Sequence, residues 1–97
     1  MVKKKIGLEH LLLLEINKIM NDWKQKNNKL TKEFVFKDFN EALGFINKIG
    51  HEAELLNHHP TIINTYNSVI IELWTHSENK VTELDYLLKE KIDVING

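Results

Sequence analysis

Apolar residues at Leu8, Leu12, Ile16 and Ile19 recur at helical spacing and predict an opening helix over about Leu8 to Asn21. The polar stretch Lys24-Gln25-Lys26-Asn27-Asn28-Lys29 reads as a hairpin connection after a short strand near Trp23. Beyond it, Leu30, Phe34 and Phe36 share one face and Thr31, Glu33 and Val35 the other, an alternation that predicts a strand. Asp38 then stands as an N-cap, with Glu41 three positions on completing a capping-box pattern. Phe39, Ala42, Ile46, Ile49, Ala53 and Leu56 follow at steps of three and four, the core-facing stripe of a helix. Gly50 within that helix is expected to mark a close approach of another backbone. Pro60 is expected to end the helix, because a residue before proline is pushed out of the α region.

Ile62 to Tyr66 and Val69 to His76 are two strand-like runs around a tight turn at Asn67-Ser68. In the second run Val69, Ile71, Leu73 and Thr75 face one way, and Ile70, Glu72, Trp74 and His76 the other. Thr82 with Asp85 repeats the capping pattern and opens a last helix along Leu84, Leu87, Leu88, Ile92 and Ile95. The order α-β-β-α-β-β-α predicts an α+β domain in two layers, a four-stranded antiparallel sheet with helices on one face. No linker or internal repeat divides the chain, so residues 1–97 are expected to form a single domain.

Composition narrows the chemistry. Glycine and proline together number only five (four and one), where average usage would supply about 12% of residues, so few positions are left for loops. The chain has no cysteine, which removes disulfides, thiol nucleophiles and Cys-ligated metal sites. Gly7, Gly44, Gly50 and Gly97 are isolated, so there is no phosphate-cradling loop. Neither Ser68 nor Ser77 sits in a nucleophile elbow. A formal charge of −1, with every cation a lysine and no arginine, argues against nucleic-acid binding, which favours the guanidinium fork. Lys3 to Lys5 followed by Leu11 to Leu14 superficially suggest a signal peptide. Glu9, His10 and Glu15 bracket that run, however, and no cleavage site follows. No apolar run is long enough to span a membrane, and a soluble cytoplasmic protein is expected.

What remains is a histidine cluster. Glu54 and His58 lie four apart, on one helix face, and His58-His59-Pro60 stand where the helix is expected to end. His76 follows at the end of a strand. If the sheet brings that strand end beside the helix terminus, three imidazoles and a carboxylate converge. Imidazole both gives and takes a proton near neutrality, as a reaction requires that expels a hydroxyl from one atom and strips a proton from its neighbour. A His-His pair at a helix end also has a purely structural reading, at the negative end of the helix dipole. His10 and His51 read as surface or helix-face residues, Trp23 and Trp74 as core or interface, and Tyr66 as packing or interface.

The string Glu54-x-x-x-His58-His59-Pro60, Tyr66-Asn67 and Thr75-His76 resembles the pterin-4a-carbinolamine dehydratase family. Phe34-x-Phe36-Lys37-Asp38-Phe39 with Ala42 and Phe45, Trp23, and Thr82-x-x-Asp85 also match. The resemblance covers about residues 23 to 95. It departs at Asn79-Lys80-Val81, where the family often has Gly-Gly, at Trp74, usually a smaller residue, and at Ile62, often aromatic.

The resemblance implies dehydration of 4a-hydroxytetrahydropterin to quinonoid dihydropterin in tetrahydrobiopterin recycling, with no cofactor and no metal. It implies His58 and His76 as acid and base in either order, and His59 as a catalytic, substrate-orienting residue. Glu54, Asn57 and Thr75 are implied to join His59 in binding substrate, and Glu54 could hold an imidazole in one tautomer. Asp85 is read as a helix cap. A pterin substrate and a homodimer or homotetramer are the implied partners, with no nucleic acid and no membrane. Two alternatives are a non-catalytic interaction or transcriptional-cofactor module on the same fold, and a metal enzyme using Glu54, His58 and His76.

Overall fold

The computed structural model describes Leu12 and residues 22–97, so the helix expected over Leu8 to Asn21 lies, but for Leu12, outside them. The described chain runs β1 (Lys24–Lys26), β2 (Lys29–Val35), α1 (Phe39–Leu56), β3 (Thr61–Thr65), β4 (Ser68–Leu73) and α2 (Glu83–Asn96). The strands form one antiparallel sheet in the order β1-β2-β4-β3. The α+β class with a four-stranded antiparallel sheet is as expected. No described helix is long and apolar enough to cross a membrane.

The polar stretch after Trp23 is itself the first strand and its turn. Lys24 pairs with Thr31 and Lys26 with Lys29. Asn27 and Asn28 take φ of 52° and 62°, the two left-handed positions of a type I′ turn, which asparagine tolerates well. The second hairpin turns one residue earlier than expected, at Tyr66-Asn67, with Tyr66 at φ 50° and Thr65 opposite Ser68. Asn67 then binds Phe36 twice. Its carbonyl accepts from the Phe36 amide at 2.9 Å and its Nδ2 donates to the Phe36 carbonyl at 2.8 Å, fixing the end of β2.

One core joins the layers. Leu30 and Phe34 of β2 and Val69, Ile71 and Leu73 of β4 point to the same side, against Ala42, Phe45, Ile49 and Ala53 of α1 and Leu88 and Ile92 of α2. Phe45 replaces Phe39 in the expected stripe, and Phe39 is exposed at the first turn of its helix. Trp23, Phe34, Phe45 and Phe36 form a chain of ring contacts 4.8 to 5.8 Å apart. The Trp23 Nε1 donates to Asp93 at 2.8 Å, tying the start of β1 to α2. Leu84 and Leu87 are exposed, and Asp85 takes a place on the buried face of α2 with Leu88 and Ile92.

The caps largely follow the sequence. The Asp38 carboxylate accepts from the Glu41 amide at 2.8 Å, while Glu41 reaches the Lys37 amide at 3.3 Å in place of the cap residue's own. Among the described residues no backbone approaches Gly50: a Cβ there would meet none of them within 4 Å.

Candidate active site

The site begins with how α1 stops. The helix ends at Leu56, ahead of the place Pro60 would dictate, because Asn57 enters the left-handed region at φ 49°. The Asn57 amide donates to the Glu54 carbonyl and the His58 amide to the Ala53 carbonyl, both at 3.1 Å. This is the Schellman closure, which satisfies the last carbonyls and turns the chain sharply. His58 and His59 leave the helix at that turn, and Pro60 leads the chain directly into β3.

His58 turns inward. Its Nε2 lies 2.6 Å from Oδ1 of Asp85, whose side chain is fully buried. The other Asp85 oxygen accepts from the Thr75 hydroxyl at 2.8 Å and from the Thr82 amide at 2.9 Å. Thr75 is the next inward-facing position after Leu73, and its hydroxyl also meets that of Thr82 at 2.6 Å. With Thr75 donating to the carboxylate, the Thr82 hydroxyl must donate to Thr75. An ionised carboxylate has only acceptors, so it holds the His58 hydrogen on Nε2 and presents Nδ1 as the ring's second functional nitrogen. Asp85 is therefore both the helix cap the sequence predicted and the orienting partner of His58. Capping spacing accounts for an aspartate at this position and so concealed its second contact, which joins residues 27 apart.

His59 turns outward and pairs with Glu54 at 2.7 Å, although Glu54 and His58 share the helical spacing. The left-handed residue between helix and histidines changes which imidazole meets the carboxylate. With side chains 54% and 78% exposed, this pair adds little to stability. His76 opens a four-residue turn closed by Thr75 and Lys80, where the Thr75 amide donates to the Lys80 carbonyl at 2.9 Å. Asn79 takes φ 52° in that turn, the left-handed conformation that glycine adopts without strain.

Asn57, His58, His59, Trp74, Thr75, His76 and Ser77 line one open cavity of about 270 Å³. That is near the lower bound of small-molecule sites, roughly 300 Å³. The fold thus brings the three expected histidines, Asn57 and Thr75 to one place, with Glu54 beside it on His59. Trp74 and Ser77 were not among the expected site residues. Among the described residues no three His, Asp or Glu side chains are grouped to hold a metal ion. Of the trio considered for one, His58 binds Asp85 and Glu54 binds His59.

Fold and site together define a small α+β protein with an imidazole-lined pocket backed by a buried carboxylate. The sequence profile of the family described as Pterin 4 alpha carbinolamine dehydratase matches residues 9–95, and the chain belongs to that family. A protein of Sulfurisphaera tokodaii, provisionally named pterin-4-alpha-carbinolamine dehydratase, is 46% identical over 79 residues, covering 81% of this chain and 84% of that one. A Prochlorococcus marinus protein with the same provisional name is 44% identical over 81 residues, 84% of each chain. The crystal structure of a transcriptional coactivator/pterin dehydratase from Brucella melitensis is similar at a TM-score of 0.76. It is 36% identical, over 97% of this chain and 100% of that one. A pterin dehydratase-like protein identified as a RuBisCO assembly factor in the alpha-carboxysome shares the fold at a TM-score of 0.64 and 21% identity, over 78% of this chain and 88% of that one.

Proposed function

We propose that this protein dehydrates 4a-hydroxytetrahydropterins to the quinonoid dihydropterin and water, by acid/base catalysis between histidines. The observation that carries the reading is the His58–Asp85 pair at the wall of a pocket that also holds His59 and His76. In the substrate the N5 lone pair expels the hydroxyl from C4a as the C4a–O bond breaks. The leaving oxygen takes a proton from an imidazolium and departs as water. A neutral imidazole takes the N5 hydrogen, and the electrons of that N–H bond restore neutrality in the product. Protons gained and lost balance, and exchange with solvent resets both rings.

The hydrogen-bonding pattern supports one division of the roles. His58, with its hydrogen directed to Asp85, offers the Nδ1 lone pair and serves as the base. His76, exposed and open to proton exchange, serves as the acid. His59, braced by Glu54, and the exposed Asn57 are placed to orient the pterin, while Thr75 supports Asp85. A positioned acid or base contributes about 10²–10⁴-fold.

The test is dehydration of enzymatically generated 4a-hydroxytetrahydropterin at neutral pH with chelator present, alongside His58→Ala and His76→Ala. Turnover that survives chelator and collapses in both variants is expected. Rates no better than buffer would sink the assignment. The description of the Brucella melitensis relative supports a second reading, a coactivator-type interaction module on this fold. Intact pterin binding without turnover would favour it. A homodimer or homotetramer is part of the first reading, and light scattering on the purified protein tests it.

A further inference from the structure

Among the described residues each imidazole of the pocket has one partner, and for His76 that partner is an indole. Asp85 holds His58 and Glu54 holds His59. The His76 ring makes no hydrogen bond with the described residues and is exposed on its turn. Its centroid lies 4.2 Å from that of Trp74, with the planes 31° apart. Trp74 is braced in turn. The Lys29 ammonium stands 4.2 Å from the Trp74 ring centre and 3.6 Å from Glu72. The β2–β4 register places this column, because Leu30 pairs with Leu73 and its continuation sets Lys29 opposite Trp74. Alternation continued one step past β4 puts Glu72 and Trp74 on one side, and the turn after Thr75 lays His76 on the Trp74 ring.

We infer that Trp74 is a positioning residue for His76, holding its imidazole in the orientation from which it protonates the leaving hydroxyl. The inference rests on the dehydratase reading above. An exposed histidine without a hydrogen-bond partner distributes among several staggered rotamers, and only one of them aims a given nitrogen at a given point. Stacking on a half-buried indole favours one rotamer through dispersion and ring electrostatics. A cation over the same indole fixes the platform itself. Trp74 acts through His76, so its removal lowers turnover without removing any group that exchanges a proton.

The experiment combines Trp74→Leu, which keeps apolar volume and removes the ring, with Trp74→Phe, His76→Ala and the double variant Trp74→Leu/His76→Ala. The His76 ring protons, assigned by their loss in His76→Ala, are expected to carry ring-current shifts that vanish in Trp74→Leu and partly return in Trp74→Phe. Turnover of Trp74→Leu is expected to fall about 3- to 10-fold, the Boltzmann weight of one aromatic pair, with KM within about twofold of the parent. Trp74→Phe should recover most of that loss. In the His76→Ala background the Trp74 substitution should have no further effect, since the two residues act as one unit. Ring protons unmoved by Trp74→Leu, an equal loss in the His76→Ala background, or a raised KM at unchanged kcat would each overturn the inference. Parent protein without turnover sinks the dehydratase reading and this catalytic role with it. Parent turnover with His76 indifferent to Trp74 overturns the positioning role alone.

Discussion

Replacing Asp85 by asparagine keeps the shape of the side chain and turns one acceptor into a donor. The carboxylate accepts three hydrogen bonds, from His58 at 2.6 Å on one oxygen and from the Thr75 hydroxyl and Thr82 amide at 2.8 and 2.9 Å on the other. An asparagine whose carbonyl serves Thr75 and Thr82 must aim its NH₂ at His58. The imidazole then accepts on Nε2, and its hydrogen moves to Nδ1, the nitrogen assigned to take the substrate proton. The base is lost though every side chain stays in place. A positioned base contributes about 10²–10⁴-fold, so kcat is expected to fall by that range, about 3–5.5 kcal/mol in the barrier. The same exchange in serine-protease triads costs about 10⁴-fold through the wrong tautomer. Stability should change less, because two of the three bonds persist, with a loss of about 1–3 kcal/mol for the altered contact. Stopped-flow dehydration gives kcat, urea denaturation gives stability, and ¹⁵N imidazole shifts report which His58 nitrogen holds the hydrogen. A kcat within threefold of the parent, or Nε2 still protonated in Asp85→Asn, would refute the reasoning.

Three further outcomes test the frame that carries the site. Leu88→Ala removes a fully buried side chain where α2 meets the core and should lower stability by about 2–5 kcal/mol in chemical denaturation. Gly50→Ala adds a methyl where no described residue lies within 4 Å, in mid-helix, and should raise stability by about 0.5–1 kcal/mol and the thermal midpoint with it. Asn57→Ala forces an alanine into φ 49°, costing about 1–2 kcal/mol by the same denaturation assay. Asn57→Gly should be near neutral, and a cost equal to that of alanine would mean that the amide side chain, not the backbone angle, closes the helix.

Much of this protein is legible in its residue order. The caps at Asp38 and Thr82 follow from short polar side chains set before apolar periodicity, and the hairpins from alternation broken by a polar stretch, the first at asparagines that accept left-handed angles. These are local effects, decided within four or five residues, and their errors are local too: β1 lies within the polar stretch, and the second turn shifts by one. The histidines on the helix exit and at the strand end were also visible as candidates, because their types and positions survive any small boundary error.

What stayed hidden depends on how elements dock. Residues 54 and 58 share a helix face, yet Glu54 meets His59, because Asn57 leaves the helix before His58 is reached. Asp85 reads as a cap until the packing of α2 against the sheet buries it against His58, 27 residues away. Trp74 reads as core or interface until the β2–β4 register sets Lys29 opposite it and the turn after Thr75 lays His76 on its ring. Periodicity sets the phase of each element about its own axis. The relative phase of two elements is set by the single arrangement in which their apolar faces close one core, and the contacts of Asp85 with His58 and of Lys29 with Trp74 lie across such joints.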